Sequence, residues 1–254
     1  MPRTPDLPVH RFAARDGQSL AYRELGDGRP VVLIHGFFST AYVNWIRFGH
    51  AATLAQQGFR VIMPDLRGHG DSAHPHDPSA YPRDVLADDG FDLIEHLQLR
   101  DFDLGGYSLG GRTAARMLVR GADPSRAIIS GMGYEGITAF EDRTAFFQGV
   151  FDGLGRHERG TAEWRSEAFL RTVGGDPVAL RLVLAASVGA TGEELAEIAT
   201  ATLVLLGDAD DDHGSGPALA DAMPAARFQT VAGDHMSAVA NPELGRAMVR
   251  FLTT

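Results

Sequence analysis

The chain has 254 residues, 44% hydrophobic and 22% charged, with a formal net charge of -10, which fits an ordinary globular protein of one large or two small domains. The acidic balance, with no basic patch to offset it, argues against a nucleic-acid or anionic-membrane partner. Cysteine is absent and every one of the 23 basic residues is Arg, which excludes disulfides, thiolate metal sites, cysteine nucleophiles, Schiff-base lysines and a P-loop.

In chain order, Val9–Ala13 and Ser19–Leu25 read as strands joined through the turn formers Asp16 and Gly17. Pro30–Gly36 is a continuous apolar run, the mark of a strand buried on both faces. Thr40–Gln57 has the length of a helix, with Trp45, Ile46, Ala51 and Leu54 as core contacts. Phe59–Met63 is a second buried strand leading into Pro64–Ser72. A helix over Val85–Leu97 follows, then a strand at Asp101–Leu104, a helix from Gly111 and a strand at Arg126–Ser130. After a break, Thr202–Leu206 and Arg227–Val231 read as strands, with helices near Pro217–Met223 and Pro242–Leu252. Such alternation predicts an α/β fold, a mostly parallel eight-stranded doubly wound sheet.

The break runs from residue 134 to 199. It holds aromatic residues at helical spacing (Phe140, Phe146, Phe147, Phe151, Trp164, Phe169) and no convincing strand, so it reads as a helical lid inserted into a core of residues 1–133 and 200–254. The first six residues have no apolar stretch behind their charges. No run approaches the ~18 apolar residues of a membrane span, so the expected location is cytoplasmic, with no membrane partner.

Between the strand at Asp101 and the helix at Gly111 lies Gly106-Tyr107-Ser108-Leu109-Gly110. Glycines on both sides of a strand-to-helix turn let a serine hydroxyl stand on a strained bend above the sheet edge, beside the positive end of a helix. A serine hydroxyl is a weak nucleophile until a histidine, itself oriented by a carboxylate, takes its proton. Both partners belong at the carboxyl ends of later strands, where Gly207-Asp208-Ala209-Asp210-Asp211-Asp212 and Gly233-Asp234-His235 stand. The order is Ser, Asp, His. The acid is left open among the crowded aspartates, with the remainder capping turns or facing solvent. The Leu109 N–H, directly after the serine, is one of two donors needed for an oxyanion.

With His35-Gly36-Phe37 and Pro64–Ser72 added, five fragments in this order resemble the α/β-hydrolase superfamily along nearly the whole chain. The resemblance implies Ser108, Asp210 and His235 as catalytic residues, with Asp208 as the alternative acid, and Phe37 as the second oxyanion donor. His35 and His69 fall in loops that the family uses structurally. The serine argues against epoxide hydrolases and haloalkane dehalogenases, which carry an aspartate there.

Gly36, Phe38, Tyr107, Met132, Tyr134, Phe147, Phe151 and Trp164 are expected to shape the substrate pocket. His74 and His76 with Asp77 do not make a metal site, because two histidines so spaced in a Pro-rich loop read as exposed. Gly131–Gly136 matches a dinucleotide fingerprint but leads into the irregular insertion instead of a strand-helix-strand unit. No cofactor or metal is expected. The implied activity is a carboxylesterase acting on a small-molecule ester of small or medium acyl length. The alternatives are a cofactor-free, haloperoxidase-like perhydrolase, a carbon–carbon bond hydrolase of ring-fission products, and a non-catalytic receptor on the same fold.

Overall fold

Eight strands, β1 (His10–Ala13), β2 (Ser19–Leu25), β3 (Arg29–Ile34), β4 (Phe59–Pro64), β5 (Asp103–Tyr107), β6 (Ala127–Ser130), β7 (Thr202–Gly207) and β8 (Ala226–Val231), form one sheet in the order β1-β2-β4-β3-β5-β6-β7-β8. This computed structural model describes residues 7–139 and 141–254. The N-terminal six residues and Phe140 therefore lie outside the described residues. The β1–β2 and β2–β4 pairs are antiparallel and all others parallel, as the alternating pattern requires. The chain goes from β3 to one neighbour, β4, and returns to the other, β5. That reversal opens a crevice beyond the carboxyl ends of β3 and β5.

The period of two in β3 explains the layers. Val32 and Ile34 point into a core shared with Ile62, Leu104, α2 (Val85–His96) and α3 (Leu109–Val119). Val31 and Leu33 point the other way, into a core with Val61, Met63, Leu203, Leu205, α1 (His50–Ala55) and α11 (Pro242–Leu252). Truncating a fully buried member such as Leu33 to Ala costs about 2–5 kcal/mol.

Two local expectations are corrected. The stretch Thr40–Gln57 is not one helix: a π-helical turn at Tyr42–Ile46 is separated from α1 by Gly49 at φ 81°, although Trp45, Ile46, Ala51 and Leu54 are all buried as expected. The strand before the serine runs over Asp103–Tyr107 instead of Asp101–Leu104. Its glycines read locally as a turn, but β3 and β6 flank it and pair with its backbone through Gly106 and Tyr107. Sheet pairing overrides the poor strand propensity of Gly.

The described residues of the segment 134–196 contain five helices, α4 (Tyr134–Thr138), α5 (Glu141–Asp152), α6 (Ala162–Thr172), α7 (Pro177–Ala186) and α8 (Gly192–Ala196). Three are capped by side chains: Thr161 accepts from Trp164 N, Asp176 from Val178 N and Ala179 N, and Thr191 from Glu194 N. Ile137 and Leu195, at the two ends of the segment, join the core under β6 and β7 with Ile129, Val204 and Leu206. The middle helices pack Val150, Phe151, Leu170, Leu180 and Leu184 onto Phe38. The last elements are α9 (Gly216–Asp221) and the four-residue α10 (His235–Ala238).

Candidate active site

Ser108 sits between β5 and α3 at φ 54° and ψ -118°, a conformation that glycine tolerates and other residues adopt only under strain. The strain is held by hydrogen bonds on both sides, from Ser108 N to Ser130 O (2.8 Å) and from Arg112 N to Ser108 O (3.0 Å). The flanking glycines are steric necessities. A Cβ on Gly106 would stand 2.2 Å from Gly110 C, and one on Gly110 would stand 2.1 Å from Ile34 O. Only bare backbone lets the start of α3 sit so close above β3 and β5.

Across the crevice, Gly36 follows β3 and its N–H donates to Asn44 Oδ1 (3.1 Å). Leu66 N–H donates to His35 Nε2 (3.0 Å), so His35 carries its proton on Nδ1 and donates it to Gly36 O (2.8 Å). Burial holds this imidazole neutral, pulling it down to about 4. These bonds fix the loop that presents Phe37. Among the described residues, the backbone N–H groups of Phe37 and Leu109 have no protein acceptor. Both residues line a cavity with Ser108.

The Pro64–Ser72 stretch supports this loop from behind. Buried Asp65 accepts from Ala41 N (2.8 Å), Asp71 N (3.1 Å) and Arg23 (2.9 Å). Arg67 is buried between Asp89 (2.6 Å) and Asp16. His69, drawn down to about 3 by burial first and by its neighbour His35 second, stands edge-on to His35 and Phe37.

The acid and the histidine come from adjacent loops after β7 and β8. Asp234 caps α10 by accepting from Met236 N (3.1 Å) and Ser237 N (2.7 Å), which places His235 in its first turn. Tyr107 Oη donates to His235 O (2.6 Å). His235 Nδ1 and Asp210 Oδ2 are 2.8 Å apart and both residues are buried. Burial raises the Asp210 carboxyl, but His213 and His235 outweigh it and hold the group well below the usual carboxylate range. An ionised Asp210 accepts a hydrogen bond from Nδ1–H, so the proton stays on Nδ1 and Nε2 is left free as a base. Asp208 is exposed and accepts from Gly233 N (2.8 Å), so it ties the two loops together. Asp211 and Asp212 are also exposed.

Three cavities meet at Ser108. One, of about 20 Å³, lies toward Leu109, Arg112, Met132, Arg143 and His213. A second, of about 110 Å³, lies toward Gly36, Asn44, Tyr107 and His235. The third, about 260 Å³, opens between Phe38, Arg143, Phe147, Phe169 and His235. Of the expected pocket residues, Gly36, Phe38, Tyr107, Met132 and Phe147 line these spaces. Tyr134, Phe151 and Trp164 do not. Tyr134 lies against Gly192 at the start of α8, Phe151 is buried against Phe38 and the helices around it, and Trp164 packs under Arg159. Helical spacing marks which aromatics face inward but not whether they meet a cavity or another helix.

Sequence reasoning passed over Asn44, Arg112, Arg143 and His213. The signal for His213 was its place three residues after Asp210. Its ring lies 4.1 Å from that of His235, and burial, opposed by Asp210, pulls it down to about 4. Asp210, His213 and His235 each offer a ligand atom within 4.8 Å of the others. An ion there would have to break the Asp210–His235 bond. His76 instead bonds Asp176 (2.7 Å) on the surface. The glycines of Gly131–Gly136 pack on the acid loop, with Gly133 N and Gly136 N donating to His213 O (3.1 and 2.9 Å).

A family description for the alpha/beta hydrolase fold matches residues 29–175. A non-heme haloperoxidase of Rhodococcus erythropolis is 38% identical over 112 residues, 42% of this chain and 37% of its own. The AB hydrolase superfamily protein YisY of Bacillus subtilis is 35% identical over 123 residues, 47% of this chain and 44% of its own. The chain thus matches less than half the length of these relatives. Among solved structures, a hydrolase from Pseudomonas aeruginosa superimposes with a TM-score of 0.77 at 25% identity, covering 98% of this chain and 100% of its own. A thermophilic esterase from Thermogutta terrifontis gives 0.76 at 25%, covering 97% and 98%. No helix among the described residues is long and apolar enough to cross a membrane. The chain belongs to the α/β-hydrolase family.

Proposed function

We propose that the protein is a serine hydrolase that cleaves small or medium acyl esters through an acyl-enzyme on Ser108. The observation that carries this reading is the buried Asp210–His235 pair at 2.8 Å, facing two of the cavities that contain the strained Ser108. Ser108 Oγ attacks the ester carbonyl carbon as His235 Nε2 takes its proton, and the Phe37 and Leu109 N–H groups receive the developing oxyanion. The carbon–oxygen bond then breaks and His235 returns the proton to the leaving alcohol. Water, deprotonated by His235, releases the acid and regenerates Ser108. Asp210 holds the imidazole in the required tautomer throughout. The helices α5 to α7 act as the lid that excludes bulk water.

A fluorophosphonate probe followed by mass spectrometry tests the reading, alongside turnover of ethyl and phenyl esters of graded acyl length. Labelling confined to Ser108, with turnover lost in Ser108→Ala, is expected. Labelling elsewhere, or an intact protein that turns over no ester, overturns it. Relatives named as non-heme haloperoxidases favour a second reading in which hydrogen peroxide replaces water at the acyl-enzyme and releases a peracid. Peracid formation from acetate and peroxide, again lost in Ser108→Ala, distinguishes it.

A further inference from the structure

The three spaces that meet at Ser108 differ in what they can hold. The one toward Leu109 and His213, about 20 Å³, has room for a single water. The two arms of an ester carbonyl therefore go to the other two, of about 110 Å³ and 260 Å³. In another protein, an apolar cavity of about 150 Å³ takes up benzene. By that measure the larger space admits an aromatic ring on a short linker, and the smaller one stops short of a ring.

The chemistry of the larger wall agrees with its size. Among the described residues, five phenylalanines line it: Phe37, Phe38, Phe146, Phe147 and Phe169. Phe147 stands edge-on to Phe37, with 4.8 Å between centroids and 80° between planes, and to Phe38, at 5.2 Å and 78°. An entering ring extends the same edge-to-face array. The charged members of this wall are engaged or lie at its rim. The Arg143 guanidinium is 4.9 Å from the Phe146 and Phe147 centroids, with Asp212 at 3.7 Å, and the exposed Arg165 donates to Gly160 O (2.6 Å). The smaller space also touches rings, Phe48 and Tyr107, but there volume sets the limit.

Ser108, His235 and Phe37 line both spaces, and so do Phe169 and Met236. The first three belong to the reaction. Met236 is 55% exposed, so little holds its side chain. Phe169, half-buried on α6, packs against the cluster that contains Phe38, Phe151 and Leu170. It is the fixed part of the wall between the two spaces.

We propose that Phe169 is the specificity-determining partition of the site, and that the substrates are esters with one aromatic arm, seated among the phenylalanines, and one short arm on the other side of Phe169. His235 borders both spaces, so the ring can belong to the acyl group or to the alcohol. The turnover part rests on the hydrolase reading, and the binding part does not.

Two measurements separate them. The first compares kcat/KM for ethyl acetate, the one-ring esters benzyl acetate and methyl phenylacetate, and the two-ring ester benzyl phenylacetate. In the wild type the better one-ring ester should exceed the other two kinds by more than about tenfold, and its own cyclohexyl analogue by about two- to tenfold. Phe169→Ala joins the two spaces and should bring benzyl phenylacetate to within about threefold of the one-ring ester, with Phe169→Leu, which keeps an apolar contact on α6, in between. The second measurement is the thermal shift with two uncleavable ketones. Benzylacetone, with one ring, should stabilise the wild type, and benzyl phenethyl ketone, with two, should stabilise only the Phe169 variants.

Turnover in which benzyl phenylacetate matches the one-ring esters in the wild type, or stays rejected in both folded variants, overturns the partition and leaves the hydrolase reading standing. Equal rates for the phenyl and cyclohexyl esters overturn the aromatic assignment. The expected ketone pattern without turnover of any ester supports the partition and overturns the hydrolase reading. Stabilisation of the wild type by both ketones overturns the partition whatever the turnover.

Discussion

The imidazoles of His213 and His235 lie 4.1 Å apart between centroids, with 33° between their planes, and both lie beside Asp210. Only His235 has the hydrogen bond, since His213 Nδ1 is 3.9 Å from the carboxylate. His213 is therefore a neutral slab that limits how the working imidazole can tilt. We expect His213→Ala to lower kcat by about 10- to 100-fold through misplacement of His235. His213→Phe, which keeps a ring in the stack, should recover most of it. Equal losses in both variants, measured on one activated ester with melts as control, would show that ring contact is not what matters.

Asp210 and Asp208 have different work, and the same substitution tells them apart. Asp210→Asn puts an amide where the carboxylate accepts from Nδ1, and should lower kcat by 10² to 10⁴ on the order of the known tautomer effect. Asp208→Asn keeps an oxygen for the Gly233 N–H and should stay within about tenfold, or roughly 1.4 kcal/mol of barrier. Steady-state kcat on one ester decides it, and a larger loss at Asp208 would reverse the assignment.

The backbone of Ser108 stores strain that glycine would relieve. Its φ of 54° and ψ of -118° cost on the order of 1–3 kcal/mol for a residue with a Cβ, partly offset in Ser108→Gly by the freer unfolded chain. We expect Ser108→Gly to be inactive but more stable than Ser108→Ala by about 1 kcal/mol, or about 2–4 °C in Tm. Identical melts would mean that the turn relaxes in the alanine variant.

Asn44 holds the Gly36–Phe37 loop from a π-helical turn without lining up in any motif. Losing its acceptor for Gly36 N–H should free the Phe37 N–H to drift. Asn44→Ala is expected to lower kcat about 10- to 100-fold with little change in KM, because an oxyanion donor acts on the transition state. Asn44→Asp retains the acceptor oxygen and should retain more of the rate. A change in KM alone would count against the role.

Buried histidines set the acid side of stability. His35 and His213 are held down to about 4 and His69 to about 3, in each case chiefly by burial. The unfolded chain binds protons at these sites near 6.5 while the folded chain does not, so stability present above 6.5 is lost as pH falls toward 4. Asp89 and Asp103, raised to about 6 by burial, act oppositely: the folded state takes up their protons first, which offsets part of the loss. Between pH 7 and 5 the net fall should be on the order of 3 kcal/mol. Urea unfolding at the two pH values measures it, and a flat or rising curve would mean that the acids dominate.

The sequence by itself determined the alternation of strands and helices, the glycines around Ser108 and the Ser, Asp, His order, because apolar periodicity and glycine placement are local properties of the backbone. It also marked the helical segment from residue 134, where strand patterning stops. What only the tertiary structure decided was anything set by contact across the crevice. Asp210 and His235 meet because β7 and β8 are neighbours in the sheet, and among four crowded aspartates only the buried one faces the imidazole. Phe147 and Phe151 look alike in the sequence, yet one lines a cavity and the other fills a helix interface. Asn44, Arg143 and His213 carry no motif at all. Their positions follow from how a π-helical turn, α5 and the loop after β7 converge on Ser108, and a linear pattern does not encode such long-range packing.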